Sequence, residues 1–554
     1  MSEAAQKPWL KIYDKLNVPT PEFSNRPYGA FIEEHAKVRP DASAMWYVAR
    51  HISYAEFNTQ TNKLANALTG MGLGRGDVIG IHLPNIPQYA IALAAISKMG
   101  AIGSGLSPLL APPELAYQIQ DANIKVVLTL SDIAPALSAM PETPECLKTV
   151  ICTGAADLLA PAEFDLPVVK NATSLSYLDA ISDASDDFSQ VDVHWNDTYM
   201  IQYTGGTTGR PKGAMLSHRN IMYNTAQTSA MNPFTVGEEV LLSAFPMFHI
   251  AGLSIALNFG RHGGMMILVP NPRDTDFICA QLEKFPPTVI AAVPALYDMM
   301  VANPKFAGID FSKLKAALTG AAPLTKSSYK ALSDIIGEGK VTDIFGMTET
   351  GPCYTTNPPE FYKLGSVGIP LPKVDVRIRD VETGMKDMPL GEAGEIACSG
   401  PQVMKGYLDL PEESARALRE IDGQPYMFSG DVGYMDKDGF IFLCDRAKDM
   451  LNVGGYKVFS VEVEDKLCGL DEIAACAVIG TADEARPGND IVNLYVELSQ
   501  AYKSDNEEAL RDKIRGFCRE TMAPYKVPKK IHFIDAIPLT AVGKIDKKAL
   551  RLSA

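Results

Sequence analysis

From Tyr54 onward the apolar positions fall into short blocks whose period alternates between helical and extended. Leu64, Leu68 and Met71 recur at helical spacing and stop at the glycine-rich break 72–76. Residues 78–83 then read as a buried strand, and 87–99 as the next helix. Residues 126–130 and 149–153 are further strand-length runs. A second alternation is cleaner: strands at 265–269, 288–293, 314–318 and 341–345, interleaved with helices at 276–285, 295–302 and 326–336. Two such series predict two doubly wound α/β sheets.

After Gly351 the pattern changes to a period of two, with Val374, Val376 and Ile378 facing one way and Asp375, Arg377 and Arg379 the other. Asp438-Gly439 between two apolar stretches is a hairpin signal, so this region reads as a small barrel or curled antiparallel sheet. The last hundred or so residues read as an α+β unit with strands at 474–479 and 491–498. Its best helix carries Leu510, Ile514, Phe517, Cys518 and Met522 on one face and opens with a capping box from Ser504 to Glu507. A domain boundary is expected at 445–449, dividing 1–446 from 447–554.

At 554 residues the chain is long enough for several cores, and 46% hydrophobic with 21% charged residues is ordinary for a globular protein. The net charge of −15 argues against coating a polyanion, so any nucleotide site has to be local, and no helix-turn-helix or basic reading helix points to DNA. No apolar run approaches the roughly 20 residues that cross a bilayer, and the N-terminus lacks the order of a secretion signal. Nine cysteines without paired CxxC spacing read as reduced thiols in a cytoplasmic protein.

Four segments carry chemistry. YTGGTTGRPKG, residues 203–213, follows the apolar Met200-Ile201. Its glycines admit a polyphosphate close to the backbone, its threonines offer hydroxyls, and Lys212 adds charge. It is not a Walker A loop, because Lys212 lies between Pro211 and Gly213; a Gly/Thr surface turn is the plain alternative. FGMTETG, residues 345–351, ends a predicted parallel strand, where open α/β sheets bind ligands. There Glu349 can hold a divalent cation, Thr348 can bond a phosphate and Phe345 can stack on a base; a helix start capped by Thr348 explains the same residues. In the third segment, 428–450, Asp431 in a Gly-flanked turn can grip ribose hydroxyls and Arg446, just past a strand, can reach the sugar or a phosphate, unless both are ordinary surface groups. In the fourth, 538–550, Lys544 follows a glycine in a loop. Between Lys526 and Arg551 seven basic residues face two acids, which suits a polyanionic ligand or a solvated tail.

In this order and spacing the four blocks resemble the adenylate-forming superfamily of acyl-CoA synthetases, peptide-synthetase adenylation domains and beetle luciferases, over nearly the whole chain. TGGTTG followed by KGAMLSHRN looks most like fatty-acyl-CoA ligases, and PMFHIAG, residues 246–252, is similar to the acyl-pocket segment of CoA ligases. The resemblance implies a large N-terminal domain of two doubly wound sheets plus a small β-barrel, with a mobile C-terminal domain. It implies ATP phosphates held by Thr204, Gly205, Gly206, Thr207, Thr208 and Lys212, magnesium on Thr207 and Glu349, and adenine against Phe345 and Gly346 with the backbone of Gly320, Ala321 and Ala322 on its edge. Phe345 stands where the family usually has Tyr, which keeps stacking and deletes a hydroxyl.

Asp431 matches the ribose carboxylate, Arg446 the arginine beside it, Lys544 the mobile lysine of the first half-reaction, with Thr348 and Glu349 also at the reacting phosphate. Lys448 matches the hinge about which the C-terminal domain turns, bringing Gly455 and Lys457 to the site for coenzyme A. His249, Gly252 and Gly320 match the acyl pocket. The expected activity is therefore an AMP-forming acid–thiol ligase that makes an acyl-adenylate and then an acyl-CoA from a medium- or long-chain fatty acid. Aryl or cyclic acids, or a carrier protein as acceptor, are the alternatives. ATP, Mg2+ and coenzyme A are the implied cofactors, and a homodimer and peripheral membrane contact are compatible with this picture.

Overall fold

The computed structural model describes residues 7–204, 210–232, 234–454, 456–502, 506–539 and 545–553. The chain divides into two compact units, one from 9–375 and 398–427, the other from 376–397 and 428–554.

The first unit contains both expected sheets. One has eight strands in the order Gly406–Tyr407, Lys212–Ser217, Thr198–Thr204, Ile102–Gly105, Val78–His82, Ile124–Leu130, Thr149–Thr153, Thr173–Ser176. The other has nine, in the order Ile369–Pro370, Cys353–Thr356, Val341–Gly346, Ala316–Gly320, Val289–Ala291, Val240–Ser243, Met265–Leu268, Ser43–Tyr47, Arg50–Ser53. Their centres are parallel and fully buried, as the continuous apolar runs require. Helices Pro87–Met99 and Lys326–Ile336 have the bounds read from the sequence. The first begins on its own Pro and ends at Gly100 with φ 66°, and the second is capped by Thr325, whose hydroxyl accepts from Ser328 N–H.

Several expected strands shift. The run 314–318 becomes Ala316–Gly320, because Leu314 is apolar for its place in the core and not for strand pairing. Residues 288–293 shorten to Val289–Ala291, and 265–269 ends at Leu268. The elements before Tyr54 and the helix His218–Met231 were not expected; Ser217 and Asn220 form a capping box at the start of that helix.

A five-stranded sheet runs in the order Asp375–Arg379, Gly394–Ser399, Gln424–Met435, Leu418–Ile421, with Ile441–Arg446 also pairing Gln424–Met435. Val374, Val376 and Ile378 are buried as expected; Arg379 is buried too, ion-paired to Asp387. In the second unit the strands Ile473–Ala482, Asp490–Leu498 and Lys530–Ile534 form a three-stranded sheet, covered by helices Ser460–Leu467 and Glu507–Thr521 through Val463, Leu467, Ile514 and Cys518. The latter helix is capped by Asn506, whose side chain accepts from Glu508 N–H and Ala509 N–H. This replaces the expected capping box, whose Ser504 lies outside the described residues.

Candidate active site

One antiparallel strand pair and two parallel strand ends build the site in the first unit. Thr204 ends one strand of an antiparallel pair and Lys212 opens the other, directly opposite it. The Gly/Thr segment is thus flanked by two paired strands, which the apolar Met200–Leu216 and Ile201–Met215 partners anchor. Gly205, Gly206, Thr207 and Thr208 lie outside the described residues. Lys212 Nζ donates to Glu413 Oε2 at 2.9 Å and lies 4.7 Å from the centre of the Tyr407 ring.

The strands Ala316–Gly320 and Val341–Gly346 run parallel, with Gly320 opposite Ile344. Both expected nucleotide-edge segments thus leave the sheet together at its carboxyl end. The two glycines there are required by space. A Cβ on Gly320 would sit 2.5 Å from Ile344 O, and one on Gly346 would sit 1.9 Å from Pro352 O. Ala321 holds φ 66°, a left-handed conformation that costs an L-residue about 1–3 kcal/mol and gathers at functional sites. Ala321 and Ala322 are exposed, and Phe345 is half-buried, edge-on to Tyr354 at 5.3 Å.

Thr348 opens the short 3-10 turn Thr348–Thr350, so the expected alternative of an α-helix start is not formed. Glu349 on that turn is 5% exposed. Its Oε1 accepts from the Tyr407 hydroxyl at 2.7 Å, its backbone carbonyl accepts from Met404 N–H at 2.8 Å, and no lysine or arginine pairs with it among the described residues. A buried carboxylate without a cation is costly, so a divalent ion fits this donor. No cluster of three or more His, Cys, Asp or Glu at metal-ligand positions occurs among the described residues. Burial and the adjacent Glu349 push the Tyr407 phenol well above its usual range, so it stays protonated and donates.

His249 caps the helix Ile250–His262, its Nδ1 accepting from Ala251 N–H at 3.3 Å. Gly252 packs so tightly on its own loop that a Cβ would meet Pro246 O at 2.2 Å.

In the second unit Asp431 and Arg446 are cross-strand partners, joined Nε to Oδ1 at 2.8 Å. This corrects the reading of a turn: Asp431 lies within Gln424–Met435 and Arg446 is the last residue of Ile441–Arg446. Gly430, at φ 71°, takes a left-handed kink inside the strand, which a sequence reading takes for a turn. Lys448 is exposed in the next turn, where Asp449 is gripped by Arg551 at 2.5 Å. Lys457, in the hairpin Leu451–Val453 with Tyr456–Val458, approaches Glu382 at 3.6 Å, and Tyr456 stacks on Tyr525 at 4.5 Å. Gly455 and Lys544 lie outside the described residues.

Sequence reading missed Tyr407 and Glu413. Each meets its partner across 58 or 201 residues of chain, and no local spacing signals either.

Comparison with known proteins gives this geometry its context. The AMP-binding enzyme family matches residues 32–408, and the AMP-binding enzyme C-terminal domain matches 462–544. A long-chain-fatty-acid–CoA ligase of Bacillus subtilis is 34% identical, covering 99% of this chain and 98% of that protein. A feruloyl-CoA synthase of Amycolatopsis is 33% identical over 95% of this chain and 99% of that one. Among solved structures, ATP-bound MatB from Rhodopseudomonas palustris superposes with a TM-score of 0.80 at 28% identity, covering 95% of this chain and 99% of MatB. The chain therefore belongs to the AMP-binding enzyme family and is an AMP-forming acyl-CoA synthetase of the adenylate-forming superfamily.

Proposed function

We propose that this ligase activates a medium- or long-chain fatty acid, with Glu349, Lys212, Asp431 and Lys544 as its principal polar groups. The observation that carries the site assignment is Glu349, buried without a basic partner among the described residues, on the turn just past a parallel strand and linked to Lys212 through Tyr407. The full-length likeness to long-chain-fatty-acid–CoA ligases supports the choice of acid. A second reading, an aryl carboxylate, is favoured by the 33% identity to a feruloyl-CoA synthase.

The chemistry explains why cations gather here. The acid's carboxylate attacks the α-phosphorus of ATP, forming the C–O–P bond of the acyl-adenylate and breaking the bond to departing pyrophosphate. Two anions approach, so positive charge has to be in place first. Lys212 would exchange Glu413 for a phosphate oxygen, and Lys544 would meet the carboxylate and α-phosphate; removing one such donor typically costs about 10²–10³ in rate. Magnesium, held by Glu349 and Thr207, would neutralise phosphate charge. Asp431 would accept from the ribose hydroxyls, with Arg446 fixing its orientation.

In the second half-reaction the coenzyme A thiol attacks the acyl carbon and AMP leaves. Lys544 would occupy the side from which the thiol must come, so residues 447–554 would turn as a domain about Lys448. Gly455 and Lys457 would then line the path of the pantetheine arm. His249, Gly252 and Gly320 would border the acyl chain.

All nine cysteines carry free thiols, in keeping with a reducing cytoplasm. No helix among the described residues is long and apolar enough to cross a membrane. A homodimer and peripheral contact with a lipid surface are compatible with this reading.

The test is pyrophosphate release with Mg-ATP across saturated fatty acids of graded length, benzoate and coumarate, with and without coenzyme A. A maximum at one chain length that turns over only with coenzyme A supports the reading. Release with aryl acids alone replaces it by the second, and release without coenzyme A turnover redirects it to a carrier-protein acceptor.

A further inference from the structure

The first unit contains a buried contact that joins two of the proposed ATP-site groups through a residue neither motif includes. Tyr407 lies on the two-residue strand Gly406–Tyr407, at the edge of the eight-stranded sheet and paired to Met215 and Ala214 of the Lys212 strand. It is 6% exposed. Its backbone N–H donates to Ser414 Oγ at 2.8 Å, fixing the strand to the helix Pro411–Ala417 that carries Glu413. Its hydroxyl reaches Glu349 Oε1 at 2.7 Å, and its ring lies under Lys212 Nζ at 4.7 Å. Next to it Met404 N–H holds the Glu349 backbone carbonyl, so both ends of Glu349 are fixed from residues 404–407.

We infer that Tyr407 is the positioning residue of the ATP site. Its hydroxyl aims Glu349 at the divalent cation, and its ring holds the Lys212 ammonium toward the phosphates. The inference rests on the site assignment proposed above. A carboxylate offers two oxygens and about four lone-pair directions. With Oε1 engaged by the phenol, Oε2 is left for the cation in one orientation, and the carboxylate need not be reoriented when Mg-ATP arrives. Partners of this kind, which hold a metal ligand without touching the metal, typically cost about 10–100-fold in metal affinity or activity when removed. The ring acts separately. A cation over an aromatic face is held by the ring quadrupole without a competing negative charge, so Lys212 can exchange Glu413 for phosphate while remaining over Tyr407.

The two roles are separable by substitution. Tyr407→Phe deletes one oxygen and keeps the ring; Tyr407→Leu deletes both functions. The primary readout is equilibrium Mn2+ binding followed by electron paramagnetic resonance, on the full chain with α,β-methylene-ATP. Acid-dependent pyrophosphate release against Mg2+ and ATP is the second. Tyr407→Phe should weaken Mn2+ binding about tenfold and leave the KM for the acid unchanged. Tyr407→Leu should in addition raise the KM for ATP. Because the hydroxyl acts only through Glu349, adding Tyr407→Phe to Glu349→Gln should change Mn2+ binding no further.

Unchanged Mn2+ affinity in Tyr407→Phe overturns the hydroxyl's role, as does a loss that adds fully to that of Glu349→Gln. An unchanged KM for ATP in Tyr407→Leu overturns the ring's role. Incorporation of 3-fluorotyrosine at 407 keeps the donor and should restore wild-type binding; failure to do so marks the Phe effect as packing and overturns the inference. Wild-type protein that binds no Mn2+ with the nucleotide analogue instead overturns the site assignment beneath it.

Discussion

Replacing Gly346 with Ala tests whether the Thr348–Thr350 turn is positioned by close packing. The added Cβ would lie 1.9 Å from Pro352 O, 2.8 Å from Pro352 C and 2.9 Å from Cys353 Cα. These are backbone atoms, so no side chain can swing away. Ordinary contact begins at 3.4 Å, so the 347–352 turn must retreat by about 1.5 Å, and overpacking of this kind costs about 1–3 kcal/mol. The turn carries Thr348 and Glu349, and Met347 N–H loses its bond to Pro352 O, now 3.0 Å long. A misplacement of about 1 Å at a reacting constellation costs about 100-fold in rate, so Gly346→Ala should lower pyrophosphate release by about two orders of magnitude while the protein still folds. Gly308→Ala is the control. It has nothing within 4 Å of the new methyl and no positive φ, so its stability should stay within about 0.5 kcal/mol and its rate unchanged. Thermal unfolding and pyrophosphate release read both variants. A fully active Gly346→Ala would refute the argument that close packing at residue 346 sets Glu349.

Lys448→Pro would bar Ala447 from the α region and stiffen the proposed hinge. Adenylate formation should survive and thioester formation should fall, measured as pyrophosphate exchange against acyl-CoA production, with equal loss of both counting against the hinge. Asp343, bonded by the Tyr362 hydroxyl, has its carboxyl pushed by burial up to about 6. In the window between about 4 and 6 the folded chain therefore binds the extra proton, so stability should fall as pH rises through it, by about 2–3 kcal/mol. Chemical denaturation at pH 4 and 6.5 should show this fall in the wild type and lose it in Asp343→Asn. Arg446→Ala should raise the KM for ATP several-fold without changing chain-length preference, because the guanidinium pairs with Asp431, the carboxylate proposed to hold the ribose; a change in acid preference would remove it from the nucleotide side.

What the sequence disclosed and what it hid follow from the range of each interaction. Helix 87–99 was legible to the residue because its start and stop are local: a proline fixes φ at the first position and Gly100 takes the left-handed cap. Strand limits drifted where apolarity serves packing, as at Leu314, since periodicity cannot tell a core-facing loop from a strand. A flanking glycine makes Asp431 read as a turn residue, because glycine signals a turn by default, whereas Gly430 spends its conformational freedom on a kink within a paired strand. The site motifs stood out because phosphate binding concentrates Gly, Thr and Lys within a few residues. Tyr407 and Glu413 could not stand out in this way. A tyrosine in a short edge strand and a glutamate in an exposed helix are ordinary in sequence, and they acquire a role only when the eight-stranded sheet lays residue 407 beside Lys212 and the nine-stranded sheet delivers Glu349 to the same place. The groups proposed to meet substrate thus stood out as local motifs, while the groups proposed to aim them are brought into place by topology. Conserving the four motifs in a redesigned chain should therefore fail to preserve Mn2+ affinity unless residue 407 keeps its hydroxyl, a result the Tyr407→Phe measurement decides directly.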